Sequence, residues 1–262
     1  MFKVEIIDCC KKLRLSHNLA EMAQVTEGET HQEYLYKLLA TELKNRQEGR
    51  TAKLVNTAGF YAIKTFDNFR FDEVTLPSGL TQENLKSLDF IKEKKNIIMY
   101  GRTGTGKTML SIALGVTACK TGIPVKFYRT AALVNQLSEA KKAGTLGILL
   151  KKLNKASVII LDEFGYVPYD RVGAQLLFDY LSEIHEQKPI ILNTNLEFSR
   201  WVNILYDEQM TAALVGRLMH HCHLILFPGE NNRLRESSIN ELYQSISKAG
   251  GDSSGFTQED AN

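Results

Sequence analysis

The chain has 262 residues, 44% of them hydrophobic, which is enough for one sizeable α/β core with a smaller unit attached. A net charge of +2 singles out no class of partner, and no apolar run approaches the roughly 20 residues of a membrane span. Four cysteines (Cys9, Cys10, Cys119, Cys222) without C-x-x-C spacing, and an N-terminus without an apolar signal core, predict a soluble protein of the reducing cytoplasm.

Residues 1–65 read as a separate helical unit, with helices expected at about 4–15 and 19–24 and a break at 28–30. Leu35, Leu38, Leu39 and Leu43 then recur at helical spacing and predict one apolar face, opposite Glu33, Lys37, Glu42, Lys44 and Arg46. Charge periodicity alone serves two readings equally: an amphipathic bundle with a solvated outer face, or a docking module for a protein or DNA partner. Residues 66–95 read as an extended linker into the main domain. Its aromatics Phe66, Phe69 and Phe71 are core anchors before they are stacking platforms, and such a segment can also pass beside an adenine.

From residue 96 to 248 short apolar runs alternate with helical patterns. The runs are 97–100, 125–128, 158–161, 190–192 and 224–227, each continuous as in strands buried on both faces. Five strands with helical crossovers predict a parallel, doubly wound sheet with ligand at the carboxyl ends of the strands. Residues 249–262 are polar and glycine-rich, the composition of a disordered tail.

The first strand feeds a helix through Gly101, Arg102, Thr103, Gly104, Thr105, Gly106, Lys107, Thr108 and Met109, the P-loop pattern G-x-x-x-x-G-K-[ST] in its required setting. Glycines let the backbone turn so that several N–H groups face a phosphate, and the following helix adds its N-terminal dipole. Lys107 would reach the β- and γ-phosphates of ATP, and the Thr108 hydroxyl would ligate Mg²⁺. The third strand ends in Asp162 and Glu163. Asp162 suits the Mg²⁺ shell, and Glu163 suits a general base that polarises the attacking water. The pair argues for ATP hydrolysis over a metabolite kinase, which needs an acceptor pocket instead; a nucleotide-dependent binding module with negligible turnover is the further alternative, in which Glu163→Gln changes nothing. Asn195, or failing it Asn193, closes the fourth strand where an amide can hold that water; a strand-to-turn asparagine is the plain alternative.

Arg217, near the end of a helix before the last strand, is placed to act in trans on a neighbouring copy's nucleotide, or simply to sit on a helix surface. Between 126 and 155, seven lysines and arginines face one acid, Glu139, across two short helices at about 131–142 and 146–153. That concentration is either a solvated face or a phosphate-binding one, with Arg129, Lys141, Lys142, Lys151 and Lys152 as its DNA contacts. No base-reading motif is present, so such binding is sequence-independent and salt-sensitive. His220, His221, Cys222 and His223 cannot all converge on one ion from consecutive positions, and the sequence displays no second cluster to complete a tetrahedral set.

With these residues in place, the sequence resembles the IstB family, the AAA+ helper ATPases of insertion-sequence transposition, and more distantly the DnaC-type helicase loaders. The resemblance spans nearly the whole chain. It rests on the P-loop, on Leu161-Asp162-Glu163-Phe164-Gly165-Tyr166-Val167-Pro168, on Asn193-Thr194-Asn195-Leu196 with Phe198-Ser199-Arg200-Trp201, and on Gly216-Arg217-Leu218. It implies an α/β AAA+ P-loop NTPase with a five-stranded parallel sheet, helices on both faces and a small all-α N-terminal domain. It assigns Walker A to Lys107 and Thr108, Walker B to Asp162 and Glu163, sensor 1 to Asn195 and the arginine finger to Arg217. It implies an ATP- and Mg²⁺-dependent homo-oligomer with the nucleotide between subunits, which binds and deforms duplex DNA and delivers it to a partner transposase. The alternative is a replicative helicase loader. After Phe227 too little ordered chain remains for the usual helical lid, leaving Arg233 or Arg235 to replace the lid arginine.

Overall fold

The computed structural model describes residues 2–229. The expected disordered tail, the missing lid and the roles of Arg233 and Arg235 lie outside the described residues.

Three helices open the chain: α1 (Lys3–Lys12), α2 (Leu19–Val25) and the 28-residue α3 (His31–Ala58). Thr30 caps α3 by accepting from Glu33 N, and Gly59, at φ 93°, ends it in the left-handed conformation that glycine adopts freely. The leucine face expected on α3 is not buried as a unit. Leu38 is buried against α1 and α2, whereas Leu35, Leu39 and Leu43 are exposed. The buried row continues instead with Glu42, whose Oε1 accepts from Ser16 N (2.9 Å) and from Arg46 Nε (2.7 Å). Two short helices touch α3 on one narrow side only, so a full apolar stripe has nothing to cover it.

Residues 66–95 do more than lead into the domain. A 3₁₀ turn at Phe66–Asn68 is followed by α4 (Gln82–Lys86) and α5 (Asp89–Lys92), and Leu80, Leu85, Leu88 and Phe90 are buried. Phe69 meets Phe71 edge-on at 4.8 Å between ring centroids, so the aromatics anchor the core as expected. Thr75 exchanges two backbone hydrogen bonds with Leu226 on the last strand.

The main domain alternates strands and helices. β1 (Asn96–Gly101) leads through the P-loop to α6 (Lys107–Lys120), and β2 (Val125–Arg129) leads directly into α7 (Thr130–Lys142) and α8 (Leu146–Asn154). β3 (Val158–Phe164), α9 (Arg171–Ile184) and β4 (Ile190–Thr194) follow. A 3₁₀ turn with α10 (Val202–Leu205), then α11 (Glu208–His220) and β5 (Cys222–Phe227), complete it. All pairings are parallel, in the order β2-β3-β4-β1-β5, as the continuous apolar runs predicted.

The strands divide their side chains between two cores. Ile98, Ile159, Leu161, Ile190 and Leu192 face α7, α9 and α11. Ile97, Met99, Ile160, Ile191 and Ile225 face α6, the residues around 80–90 and the last turns of α3, where Leu54, Val55 and Ala58 pack. Trp201, 0% exposed, lies tilted against Phe164 in the first core, ring centroids 4.4 Å apart; truncating it to alanine should remove about 3–5 kcal/mol.

Candidate nucleotide-binding site

The loop after β1 must turn sharply within a few residues. A Cβ on Gly101 would stand 2.4 Å from the carbonyl oxygen of Phe227, an approach only glycine allows. Gly104 and Gly106 take φ of 82° and 103°, and the turn is tied by Thr105 Oγ1 donating to Arg102 O at 2.8 Å. Lys107 opens α6 with its side chain folded under the loop, where Nζ donates to Gly101 O (2.7 Å) and Arg102 O (2.6 Å).

At the second residue of α6, Thr108 Oγ1 meets Asp162 Oδ1 at 3.0 Å. Asn193 Nδ2 donates to the same Asp162 oxygen at 2.8 Å and to Ser111 Oγ at 2.9 Å, while Asn193 Oδ1 is buried without a hydrogen-bond partner. Helix α6, strand β3 and strand β4 thus converge through side chains on one carboxylate. Thr108 and Asp162 present hard oxygen donors side by side at the P-loop, which suits Mg²⁺.

Glu163 points elsewhere because the strand breaks its own rhythm. Leu161 pairs with Leu192 and Phe164 with Thr194, so Asp162 and Glu163 together stand opposite Asn193. This bulge puts Glu163 at φ 56°, a left-handed backbone that costs a non-glycine residue about 1–3 kcal/mol. The half-exposed carboxylate reaches Arg129, whose Nε lies 3.8 Å from Glu163 Oε2 at the end of β2. The Arg129 guanidinium also lies 5.7 Å from the Tyr61 ring centroid.

A cavity of about 600 Å³ opens above the loop, in the range of sites for nucleotide-sized ligands. Thr103 to Met109 form its floor, and Asp162, Glu163, Asn193 and Asn195 form one wall. Tyr61, Lys64, Phe69, Arg70 and Glu73 form the other, so the segment after α3 does pass beside the ligand space. The exposed Asn195 lines the cavity, whereas Asn193 holds Asp162 from within the sheet.

Other expected residues lie apart from this cavity. Arg217 is exposed on α11, donates to Ser182 Oγ on α9 and lies over the Phe178 ring at 5.6 Å. Lys141 and Lys142 end α7, and Lys151 and Lys152 end α8, all exposed and all where a cation also complements the helix dipole. Lys126 belongs to a different structure: it donates to Thr57 O at the end of α3, and burial together with the Lys152 charge holds its pKa below the ordinary lysine range. Among the described residues, no helix is long and apolar enough to cross a membrane.

Sequence reasoning missed the Asn193–Ser111 contact and the share of Tyr61 and Lys64 in the cavity wall, which begins ahead of the segment expected beside the ligand. The signal for the first was available: Asn193 is a polar residue directly after Ile190-Ile191-Leu192 in a buried strand.

Comparison with known proteins agrees with this geometry. The chain is 33% identical over 247 residues to a protein of Geobacillus stearothermophilus described as an ATP-binding protein of insertion sequence IS5376, covering 92% of this chain and 98% of that one. It is 32% identical over 245 residues to the corresponding IS21 protein of Pseudomonas aeruginosa, covering 90% of each. Among solved structures, the replication initiator DnaA bound to AMPPCP and single-stranded DNA is similar in fold, with a TM-score of 0.52 at 19% identity, over 72% of this chain and 65% of that one. A DNA replication initiation factor gives a TM-score of 0.51 at 20% identity, over 70% of this chain and 55% of that one. The fold is that of the AAA+ P-loop ATPases. The family model of the IstB-like ATP binding proteins matches residues 9–240, and with its P-loop, paired acids and parallel sheet in register the chain belongs to that family.

Proposed function

We propose that this chain is an ATPase that assembles with ATP on duplex DNA and prepares that DNA for a partner transposase. The observation that carries the reading is the joining of Thr108, Asp162 and Asn193 beneath a nucleotide-sized cavity, with Glu163 turned out beside them on a bulge.

In this reading the backbone N–H groups of the P-loop cradle the phosphates and Lys107 exchanges its loop carbonyls for phosphate oxygens. Thr108 and Asp162 hold Mg²⁺, which when bound neutralises phosphate charge. Glu163 takes the proton of a water whose oxygen bonds to the γ-phosphorus as the β–γ bridging bond breaks. Asn195, exposed at the cavity wall, holds that water, and Asn193 keeps Asp162 aligned. Arg217, which bonds Ser182 on α9 away from its own chain's cavity, serves in this reading a neighbouring copy, and the active form is a homo-oligomer with nucleotide between subunits.

Arg129, Lys141, Lys142, Lys151 and Lys152 bind duplex phosphates without regard to sequence. Residues 1–65 dock the partner protein, 66–95 link that unit to the ATPase while walling its cavity, and 96–248 carry the ATPase, in the cytoplasm. The insertion-sequence origin of the relatives supports the transposition context. The test is sedimentation of Lys107→Ala with ATP and duplex DNA: loss of both nucleotide binding and assembly is expected. Normal ATP-dependent assembly by that variant would overturn the reading.

A further inference from the structure

The histidines at the end of α11 are not alone in space. Glu186, in the turn between α9 and β4, offers a carboxylate oxygen to His220 and His221, and the three ligand atoms lie within 4.8 Å of one another. Glu186 Oε1 is 3.9 Å from His220 Nδ1 and 3.4 Å from His185 Nε2. We infer that Glu186, His220 and His221, with His185 beside them, form a binding site for a divalent transition ion of the zinc class.

The geometry suits that ion. With metal–ligand bonds of about 2.0–2.1 Å, neighbouring donors in a tetrahedral site stand about 3.3–3.4 Å apart. The His185–Glu186 separation already has this value, and Glu186, His220 and His221, all exposed and within 4.8 Å of one another, need adjustments of at most about 1.5 Å among themselves. Imidazole with one carboxylate is a donor set for zinc, cobalt, nickel or copper, and not for the harder magnesium or calcium. Cys222 and His223 take no part, because they enter β5, where Cys222 Sγ contacts Met219 Sδ at 3.7 Å. The ligands come from two separate turns of the fold, which is why consecutive positions in the sequence could not supply them.

Those two turns are fixed to each other by the buried Asn96 at the start of β1. Its Oδ1 accepts from Ile190 N (2.9 Å), which begins β4, and its Nδ2 donates to Leu218 O (3.1 Å) in α11. Its backbone N donates to His221 O at 2.7 Å. Glu186 itself is held at φ 60°, a left-handed backbone that aims it away from the course of α9. The backbone of the site is thus set before any ion arrives, which lowers the entropy lost on binding. A bound ion ties the end of α11 to the turn after α9. It stands independently of the nucleotide reading, since none of its residues lines that cavity.

The test is titration of the full chain, stripped with a chelator, with cobalt(II) as a visible probe and zinc(II) as competitor. One equivalent of cobalt with the intense visible absorption of a four-coordinate ion is expected, displaced by zinc. Glu186→Gln and the double change His220→Ala with His221→Ala should each weaken uptake at least tenfold. Cys9→Ser, which removes an exposed thiol, should leave it unchanged. The site is refuted by absence of saturable uptake, by equal uptake in the double variant, or by loss of uptake in Cys9→Ser. All the changed positions are exposed, the partly buried His185 is left intact, and far-UV circular dichroism checks the fold of each variant.

Discussion

Arg129 and Glu163 face each other across the ends of two neighbouring strands, Nε to Oε2 at 3.8 Å. One is a proposed DNA contact and the other the proposed base for water. Both side chains are largely solvated, at 62% and 49% exposure, so the pair adds less than about 1 kcal/mol to stability. Its effect falls on where Glu163 points.

Arg129→Ala should therefore leave the melting temperature almost unchanged and raise ATP turnover in the absence of DNA severalfold, by freeing Glu163 to meet its water. Steady-state phosphate release is the measurement. An unchanged or lower rate without DNA would count against the restraint.

Asn193→Ala should lower ATP turnover at least tenfold, because Asp162 loses a donor that fixes its rotamer. The stability loss should be about 1 kcal/mol, at the low end for a buried hydrogen bond, since the unpartnered Oδ1 leaves with the side chain. Asn193→Asp should be worse, near 3 kcal/mol, because it sets a second carboxylate 2.8 Å from Asp162. Urea unfolding ranks the two, and equal midpoints would refute the account.

Arg217→Ala should keep nucleotide affinity and lose hydrolysis, as should Glu163→Gln. Mixed together, they should recover part of the wild-type rate, because some interfaces then combine an intact Glu163 with an intact Arg217. A rate that stays flat at every mixing ratio would remove Arg217 from the neighbour's site.

Alkaline pH should weaken the fold through two buried groups. Burial pushes the Tyr169 hydroxyl up to about 12 and the Cys119 thiol up to about 11. Unfolded tyrosine and cysteine ionise near 10 and 8.5, so the folded state retains protons that the unfolded chain gives up. The stability they contribute is whole below about pH 8.5 and drains away as pH rises toward 12. Tyr169→Phe should flatten the upper part of this decline in urea midpoints measured from pH 8 to 11.5; an unaltered slope would refute it.

The sheet and the P-loop were legible because both are written in contiguous residues: five apolar runs and one spaced glycine motif. The candidate site was legible where its lining sits at strand ends, as with Asp162 and Glu163. It was not legible where a register change decides the matter. Two residues opposite one on β4 turn Glu163 outward, and no local pattern marks that count. Leu35, Leu39 and Leu43 carry a helical period truthfully, yet only the arrangement of α1 and α2 decides which side of α3 is covered. Glu186 and His221 are separated by β4, α10 and α11, and the tertiary contacts that bring them together, Asn96 among them, leave no local mark.

The double hydrogen bond between Thr75 and Leu226 has a bearing on how copies can meet. It occupies the outer rim of β5 with the chain's own backbone, while Gly59 and the end of α3 crowd Phe127 on β2 at the opposite rim. Ribbon-to-ribbon growth of the sheet from one molecule into the next is thereby obstructed on both flanks. In the proposed assembly, contacts between copies are left to side chains on helices and on the rim of the nucleotide cavity.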